Sequence, residues 1–142
     1  MANPHWPRIS SALFYDDAAA AIDWLCRAFG FEVRLRVDGD DGKVVHSELV
    51  FRDGVIMVAS TGRSDKPRDF CASPRGFGGQ NTQSLCVVVD DADAHHARAR
   101  AAGAGIETEP TTNDHGPEYG AHRTYQAVDP EGHRWWFMQI VR

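Results

Sequence analysis

The chain has 142 residues, of which 42% are hydrophobic and 25% charged, the composition of one globular domain. Asp and Glu outnumber Lys and Arg by 20 to 15, and the formal charge of -5 argues against nucleic-acid binding. No apolar run approaches the ~18 residues of a membrane span, and the first residues lack a secretion-signal pattern. We therefore expect a cytoplasmic protein with no nucleic-acid or membrane partner.

The first half of the chain predicts a strand, a helix and three further strands. Apolar residues at three- and four-residue steps predict a helix from Ala18 to Phe29. Asp16 or Asp17 caps its start and Gly30 ends it. The strands are predicted at 8–15, 31–37, 44–51 and 55–60.

Residues 61–82 are rich in Gly, Ser, Pro and Arg, and they form a long stretch for a loop inside one domain. They predict either a linker between two units or a functional flap. The basic residues of this stretch either lie on a solvated flap or hold an anion over the groove. They are Arg63, Lys66, Arg68 and Arg75. Cys71 also lies here, and no base can be named that would make it a nucleophile.

The second half repeats the first. The order is a strand at 83–89, a helix at 92–102, a strand at 106–109, a loop at 110–120 and a final hairpin. The hairpin strands, 123–128 and 134–141, flank the turn Asp129-Pro-Glu-Gly132. Residues 13–20 and 87–94 share an Asp-Asp-Ala pattern after an apolar strand. This predicts an α+β fold: one domain, 1–142, with βαβββ modules at 8–60 and 83–142 joined by the linker 61–82. Their sheets would curve around a shared groove, the expected ligand site.

These features resemble the vicinal oxygen chelate superfamily, which includes glyoxalase I, extradiol dioxygenases and bleomycin-resistance proteins. The resemblance rests on the paired modules, the Asp-Asp after each first strand and the closing Asp-Pro-Glu-Gly-His hairpin. It covers nearly the whole chain and is strongest within the subgroup described as glyoxalase/bleomycin-resistance-like. It implies the fold directly, whereas many chemistries share that fold.

The resemblance also implies where a divalent metal would bind. In the metal enzymes of the family, ligands come from the first and last strand of each module. Those positions correspond here to Ser10, Ser84, Trp136 and either Met57 or Val58. None of these side chains is a good ligand for Zn²⁺, Mn²⁺ or Fe²⁺. We therefore expect no metal cofactor.

Strand alternation suggests which other residues line the groove. His46 and Glu48 share one face of the third strand, opposite to that of Ser47 and Leu49. We expect the His46 and Glu48 face to line the groove, because an ionised pair under the helix would be costly. They are either an exposed His–Glu pair or a polar hook for a ligand. In the hairpin, the resemblance favours Trp136, Thr124 and Gln126 facing the groove, with Trp135 under the helix. Phe14 would add a second aromatic wall.

Other His and Cys residues receive structural interpretations. His95 and His96 lie among Ala and Arg and predict a solvated helix face. Cys26 and Cys86 lie in apolar patterns and predict buried side chains. An odd number of cysteines without C-x-x-C spacing argues against disulfides or a structural zinc site.

The sequence thus predicts a metal-independent, homodimeric protein that binds an aromatic or planar small molecule in the groove. The expected ligand-binding residues are Ser10, Phe14, His46, Glu48, Met57, Ser84, Thr124, Gln126 and Trp136. The alternative is a divalent-metal-dependent lyase, isomerase or dioxygenase that holds Zn, Ni, Mn or Fe through atypical ligands such as His46, Glu48 and His122. The sequence does not decide whether a reaction is catalysed, or whether modules pair within one chain or between chains.

Overall fold

A computed structural model describes residues 5–62 and 70–142. Its elements follow one another in two similar series. The first series is β1 (Ser11–Tyr15), α1 (Ala18–Phe29), β2 (Glu32–Asp38), β3 (Val44–Phe51) and β4 (Gly54–Ser60). A short 3₁₀ helix at Pro74–Phe77 precedes the second series. That series is β5 (Leu85–Val88), α2 (Ala92–Ala101), β6 (Gly105–Asp114), β7 (Ala121–Val128) and β8 (Arg134–Ile140).

The described strands form two four-stranded sheets with the same topology. Their orders are β1-β4-β3-β2 and β5-β8-β7-β6. In each sheet the first strand runs parallel to the last, and the other pairs are antiparallel. The α+β class and the two βαβββ modules are therefore confirmed. Among the described residues, no helix combines the length and apolarity needed to cross a bilayer.

Both helices begin as their sequences predict, and α1 also ends as predicted, whereas α2 ends at Ala101, one residue before the predicted end. The Asp17 carboxylate accepts a hydrogen bond from Ala20 N at 3.1 Å, and the Asp91 carboxylate accepts one from Ala94 N at 3.0 Å. Gly30 ends α1 with φ of 86°, which costs little only for a residue without Cβ.

The two modules of the chain share one core. The Phe29 ring, at the end of α1, lies 4.7 Å from the Phe137 ring and 5.2 Å from the Trp135 ring, both in β8. The Trp24 indole in α1 donates to the Ala102 carbonyl just after α2, at 2.7 Å. The modules of a single chain therefore pack against each other through their helix-covered sides.

The turn between β7 and β8 fastens the second module to the first. Glu131 is 4% exposed, and its carboxylate accepts hydrogen bonds from Asp16 N at 2.7 Å and Asp17 N at 2.9 Å. The same carboxylate accepts from the Ser73 hydroxyl. The Tyr15 hydroxyl donates to the buried Asp129 carboxylate at 2.6 Å. We call this network the Glu131 clasp.

Strand β6 is the largest departure from the predicted elements. The sequence predicts a strand at 106–109 followed by a loop at 110–120, but β6 continues through Pro110 to Asp114. Pro110 has no N–H, which favours ending a strand. However, β6 is a sheet edge, and its pairing with β7 is irregular between Ile106 and Thr111, so the missing donor is tolerated.

Three side chains lie in surroundings opposite to those predicted. The His96 side chain is only 14% exposed, with its ring 5.2 Å from the Tyr125 ring and its Nε2 2.8 Å from the Glu109 carboxylate. The His95 ring is packed 4.3 Å from the Phe137 ring and bonds to Tyr125 and Phe29, so it is not on a solvated face. The prediction failed because the first module covers this side of α2. Cys86 is exposed rather than buried, since it pairs with Trp136 on the face of the second sheet that points away from α2.

Candidate functional site

In the first module, the predicted groove residues lie on the sheet face opposite α1. Met57 pairs with Ala12 on one side and with Glu48 on the other, so these three side chains form a row across the sheet. Ser47 and Leu49, the alternating neighbours, are fully buried under the helix. Val58 is also fully buried, so Met57 and not Val58 is the residue that β4 presents on the open face.

In the second module, alternation separates the two adjacent tryptophans. Trp135 is 1% exposed within the core, whereas Trp136 is 40% exposed on the opposite face. Trp136 pairs with Gln126, and Thr124 pairs with Met138 in the next row of the same face. The structure therefore places Thr124, Gln126 and Trp136 together on the face away from α2.

A cleft of about 610 Å³ lies between β1 and the segment 70–85. It brings together three of the nine predicted ligand-binding residues, Ser10, Phe14 and Ser84. The other six do not line this cleft and lie on the outward faces of the two sheets. The Ser10 hydroxyl is buried and has no hydrogen-bond partner among the described residues. A buried hydroxyl without a partner is costly, so this atom is suited to a bound molecule.

Several residues of this cleft were not predicted from the sequence. Phe70 and Phe77, which are 86% and 63% exposed, contribute aromatic surface, and Arg134 lies at the hairpin side. The available signal was that Phe70 and Phe77 are the two aromatic residues of the stretch 61–82. Of the basic residues proposed as an anion clamp, Arg63, Lys66 and Arg68 lie outside the described residues. Arg75 lies 3.8 Å from the Glu131 carboxylate.

A second cleft, of about 440 Å³, lies between β1, the turn joining β3 to β4, and β5. It shares Ser10 with the first cleft and exposes Cys86. Although the residue is exposed, neighbouring protein atoms partly desolvate the Cys86 thiol and raise its pKa, so its reactive thiolate form is disfavoured. This cleft therefore provides apolar surface and no activated nucleophile.

Three polar side chains form a cluster on the open face of the first sheet. The Glu48 carboxylate accepts from Arg34 Nε at 2.8 Å and lies 2.8 Å from His46 Nε2. The hydrogen bond from His46 and then that from Arg34 lower the pKa of Glu48, against the effect of burial. Arg34 could not be assigned to this face from the sequence, because an irregularity between Val33 and Leu35 interrupts the alternation of β2. We call this the Arg34–Glu48–His46 cluster.

The residues at the family's metal positions do not fit a divalent metal. They supply the hydroxyls of Ser10 and Ser84, the thioether of Met57 and the indole of Trp136, instead of imidazole or carboxylate. The atypical set His46, Glu48 and His122 is divided between the two sheets. Among residues 5–62 and 70–142, no group of three or more His, Cys, Asp or Glu side chains is arranged to hold a metal ion.

The fold and the paired modules define the class of protein. The family profile described as Glyoxalase/Bleomycin resistance protein/Dioxygenase superfamily matches residues 8–137. The chain belongs to this superfamily.

Similar proteins include one sequence relative and two solved structures. An uncharacterised protein of Mycobacterium bovis is 34% identical over 140 residues, which are 96% of this chain and 85% of the relative. The crystal structure of TioX from Micromonospora sp. ML1 is 33% identical, with a TM-score of 0.71, and the match covers 96% of this chain and all of TioX. A glyoxalase/bleomycin resistance protein/dioxygenase from Alicyclobacillus acidocaldarius has a TM-score of 0.63 at 15% identity, covering 100% of this chain and 96% of the other. That last likeness concerns the fold alone.

Proposed function

We propose that this protein binds a planar aromatic small molecule without a metal ion, in the cleft between β1 and the segment 70–85. The observation that carries the proposal is the Ser10 hydroxyl, buried without a partner in a cleft that also contains Phe14, Phe70 and Phe77. Aromatic side chains bind flat ligands by stacking, and an unpaired hydroxyl supplies one orienting hydrogen bond. The volume of about 610 Å³ suits a small organic molecule.

Metal independence is supported by the donor set. Hydroxyl, thioether and indole groups stand at the positions that correspond to the metal ligands of this family. Membership of the superfamily is compatible with binding and with catalysis.

The working unit proposed here is a homodimer. The outward face of the second sheet exposes Val88, Trp136 and Ile140, which are 50%, 40% and 59% exposed. Apolar side chains grouped on one face favour coverage by a protein partner. Analytical ultracentrifugation should give twice the chain mass, and a monomer at all concentrations would contradict this part of the proposal.

Calorimetric titration with 2-naphthol tests the binding function. Protein treated with a chelator and shown metal-free by elemental analysis should bind the probe saturably. Phe77→Ala should weaken binding roughly 2- to 10-fold, the value of one aromatic contact. Tyr119→Ala removes an aromatic side chain that is similarly exposed but does not line this cleft, and it should leave binding unchanged. Absence of saturable binding, or binding that requires added metal, would overturn the proposal.

A further inference from the structure

The Arg34–Glu48–His46 cluster is a polar group that neither the fold nor the ligand cleft explains. Glu48 is 7% exposed, and burying an ion pair seldom adds stability, because desolvation offsets the attraction between the charges. The His46 side chain is 39% exposed, so a bound molecule can reach it. The cluster therefore combines a buried, fixed charge with an accessible imidazole.

Glu48 determines which nitrogen of His46 carries the proton. The carboxylate accepts a hydrogen bond from Arg34 Nε, and it is an ionised group with no proton to donate. The 2.8 Å contact between Glu48 and His46 Nε2 must then be donated by Nε2–H. In the neutral imidazole, Nδ1 is left as an unprotonated acceptor.

Arg34 holds Glu48 in place through Nε, and one of its other nitrogens has no hydrogen-bond acceptor in the described part of the chain. Its Nη1 donates to the His5 carbonyl at 2.6 Å, and its guanidinium carbon lies 4.7 Å from the centre of the Trp6 ring. Its Nη2 is buried and has no acceptor among the described residues. One buried N–H group of the cluster, Arg34 Nη2, is therefore left without an acceptor within residues 5–62 and 70–142, which is a second indication that a ligand binds here.

The cluster is within reach of the aromatic cleft. Phe14, in that cleft, pairs with Ala59 of β4, on the same face as Met57 and Glu48. Strands β1 and β3 flank β4, so Phe14 and His46 are separated by two strand spacings, about 10 Å. A bicyclic or larger aromatic molecule resting on Phe14 can extend a polar substituent towards His46.

We propose that His46 Nδ1 accepts a hydrogen bond from an O–H or N–H group of the aromatic ligand, with Glu48 as the positioning residue that sets the imidazole tautomer. This inference rests on the proposed function and names the ligand class: hydroxy- or amino-substituted aromatics. Unsubstituted or methylated analogues should bind less tightly, because they leave the Nδ1 acceptor unpaired on a partly dry face.

Two probes and one conservative variant test the inference. Calorimetry with 2-naphthol and 2-methoxynaphthalene should give about 3- to 10-fold tighter binding of the naphthol, the usual effect of one hydrogen bond. In Glu48→Gln, the amide oxygen faces Arg34 Nε and the amide NH₂ faces His46 Nε2, which moves the imidazole proton to Nδ1. The preference for naphthol should then disappear. Glu118→Gln, an exposed substitution outside the cluster, should keep it.

Nitrogen-15 NMR of the histidine rings gives a readout independent of binding. The His46 signals, assigned by their loss in His46→Gln, should show a protonated Nε2 in the native protein and a protonated Nδ1 in Glu48→Gln. Equal binding of the two probes, or a native Nδ1–H tautomer, would overturn the inference while leaving the binding function standing. Failure of both probes to bind would overturn the proposed function, and this inference with it.

Discussion

His95 Nε2 lies 2.9 Å from the carbonyl oxygen of Phe29, so a side chain of α2 bonds to the end of α1. A carbonyl only accepts, so Nε2 carries the proton, and Nδ1 accepts from the Tyr125 hydroxyl at 2.6 Å when the ring is neutral. The ring is also stacked among aromatic side chains. The neutral imidazole thus links the two modules in the interior.

Acid should destabilise the protein through His95. Burial lowers the pKa of His95 in the folded state, although its bond to the Phe29 carbonyl opposes that shift. The unfolded chain therefore takes up the proton at a higher pH than the folded chain does. The free energy of unfolding should fall as pH drops below about 6.5, the ordinary histidine pKa, and stop falling below the folded pKa.

Urea unfolding at several pH values between about 7.5 and 5 measures this effect. The fall in stability should be smaller in His95→Gln than in the native protein, although the variant is less stable at neutral pH by about 1–3 kcal/mol. His115→Gln changes an exposed histidine and serves as the control. An identical pH dependence in His95→Gln and the native chain would contradict the prediction.

Replacing each of the adjacent tryptophans with Ala should lower the free energy of unfolding by very different amounts. Trp135→Ala removes a buried side chain that also donates to Asp129, and it should cost about 3–5 kcal/mol of unfolding free energy. Trp136→Ala removes a side chain that is 40% exposed and should cost less than about 2 kcal/mol. Chemical denaturation of both variants makes the comparison. Equal losses would show that the outward placement of Trp136 is wrong.

Ser10→Ala should separate stability from binding. Its hydroxyl has no partner among the described residues, so removing it should change the free energy of unfolding by no more than about 0.5 kcal/mol. Affinity for quinoline, a planar probe whose ring nitrogen can accept a hydrogen bond from the Ser10 hydroxyl, should nevertheless fall about 2- to 10-fold. The neighbouring Ser11 hydroxyl accepts from Gln83 at 2.9 Å, so Ser11→Ala should instead lower stability, by about 0.5–1.5 kcal/mol. Unchanged affinity in Ser10→Ala would remove the main support for the ligand cleft.

The Glu131 clasp should contribute far more to the free energy of unfolding than an ordinary surface carboxylate does. Glu131→Ala leaves the backbone N–H groups of Asp16 and Asp17 and the Ser73 hydroxyl without their acceptor. We expect a loss of about 2–5 kcal/mol, measured by thermal or urea unfolding. Glu118→Ala, at an exposed site, should stay within about 0.5 kcal/mol of the native protein. Similar stabilities of the two variants would contradict the clasp.

Local features of this fold could be predicted because their causes are local. Asp17, Asp91 and Gly30 act within one helix turn of their own position, and alternation correctly placed Trp135 and Trp136 on opposite faces. The same alternation placed His46 and Glu48 away from α1. Periodicity and turn chemistry carry such information in a few neighbouring residues.

Features that depend on packing between modules could not be predicted in this way. His95 lies among Ala and Arg in its own helix, and its burial comes from Phe29 and Phe137, which are distant in sequence. The cleft groups Ser10 and Ser84 with the segment 70–83, and their proximity depends on how the modules sit together. Glu131 was recognised only as a turn residue, since its partners lie 114 and 115 residues away.

The long sequence separation between Glu131 and its partners affects how the chain folds during synthesis. The N–H groups of Asp16 and Asp17, at the junction of β1 and α1, receive their acceptor only from the last hairpin. A chain emerging from the ribosome can form α1 early, but it cannot complete the start of that helix until Glu131, 114 residues beyond Asp17, has been made. Contacts so distant in sequence slow folding, because a long loop must close first. The first module should therefore stay open to proteolysis during synthesis, and loss of the β7–β8 hairpin should loosen the junction of β1 and α1.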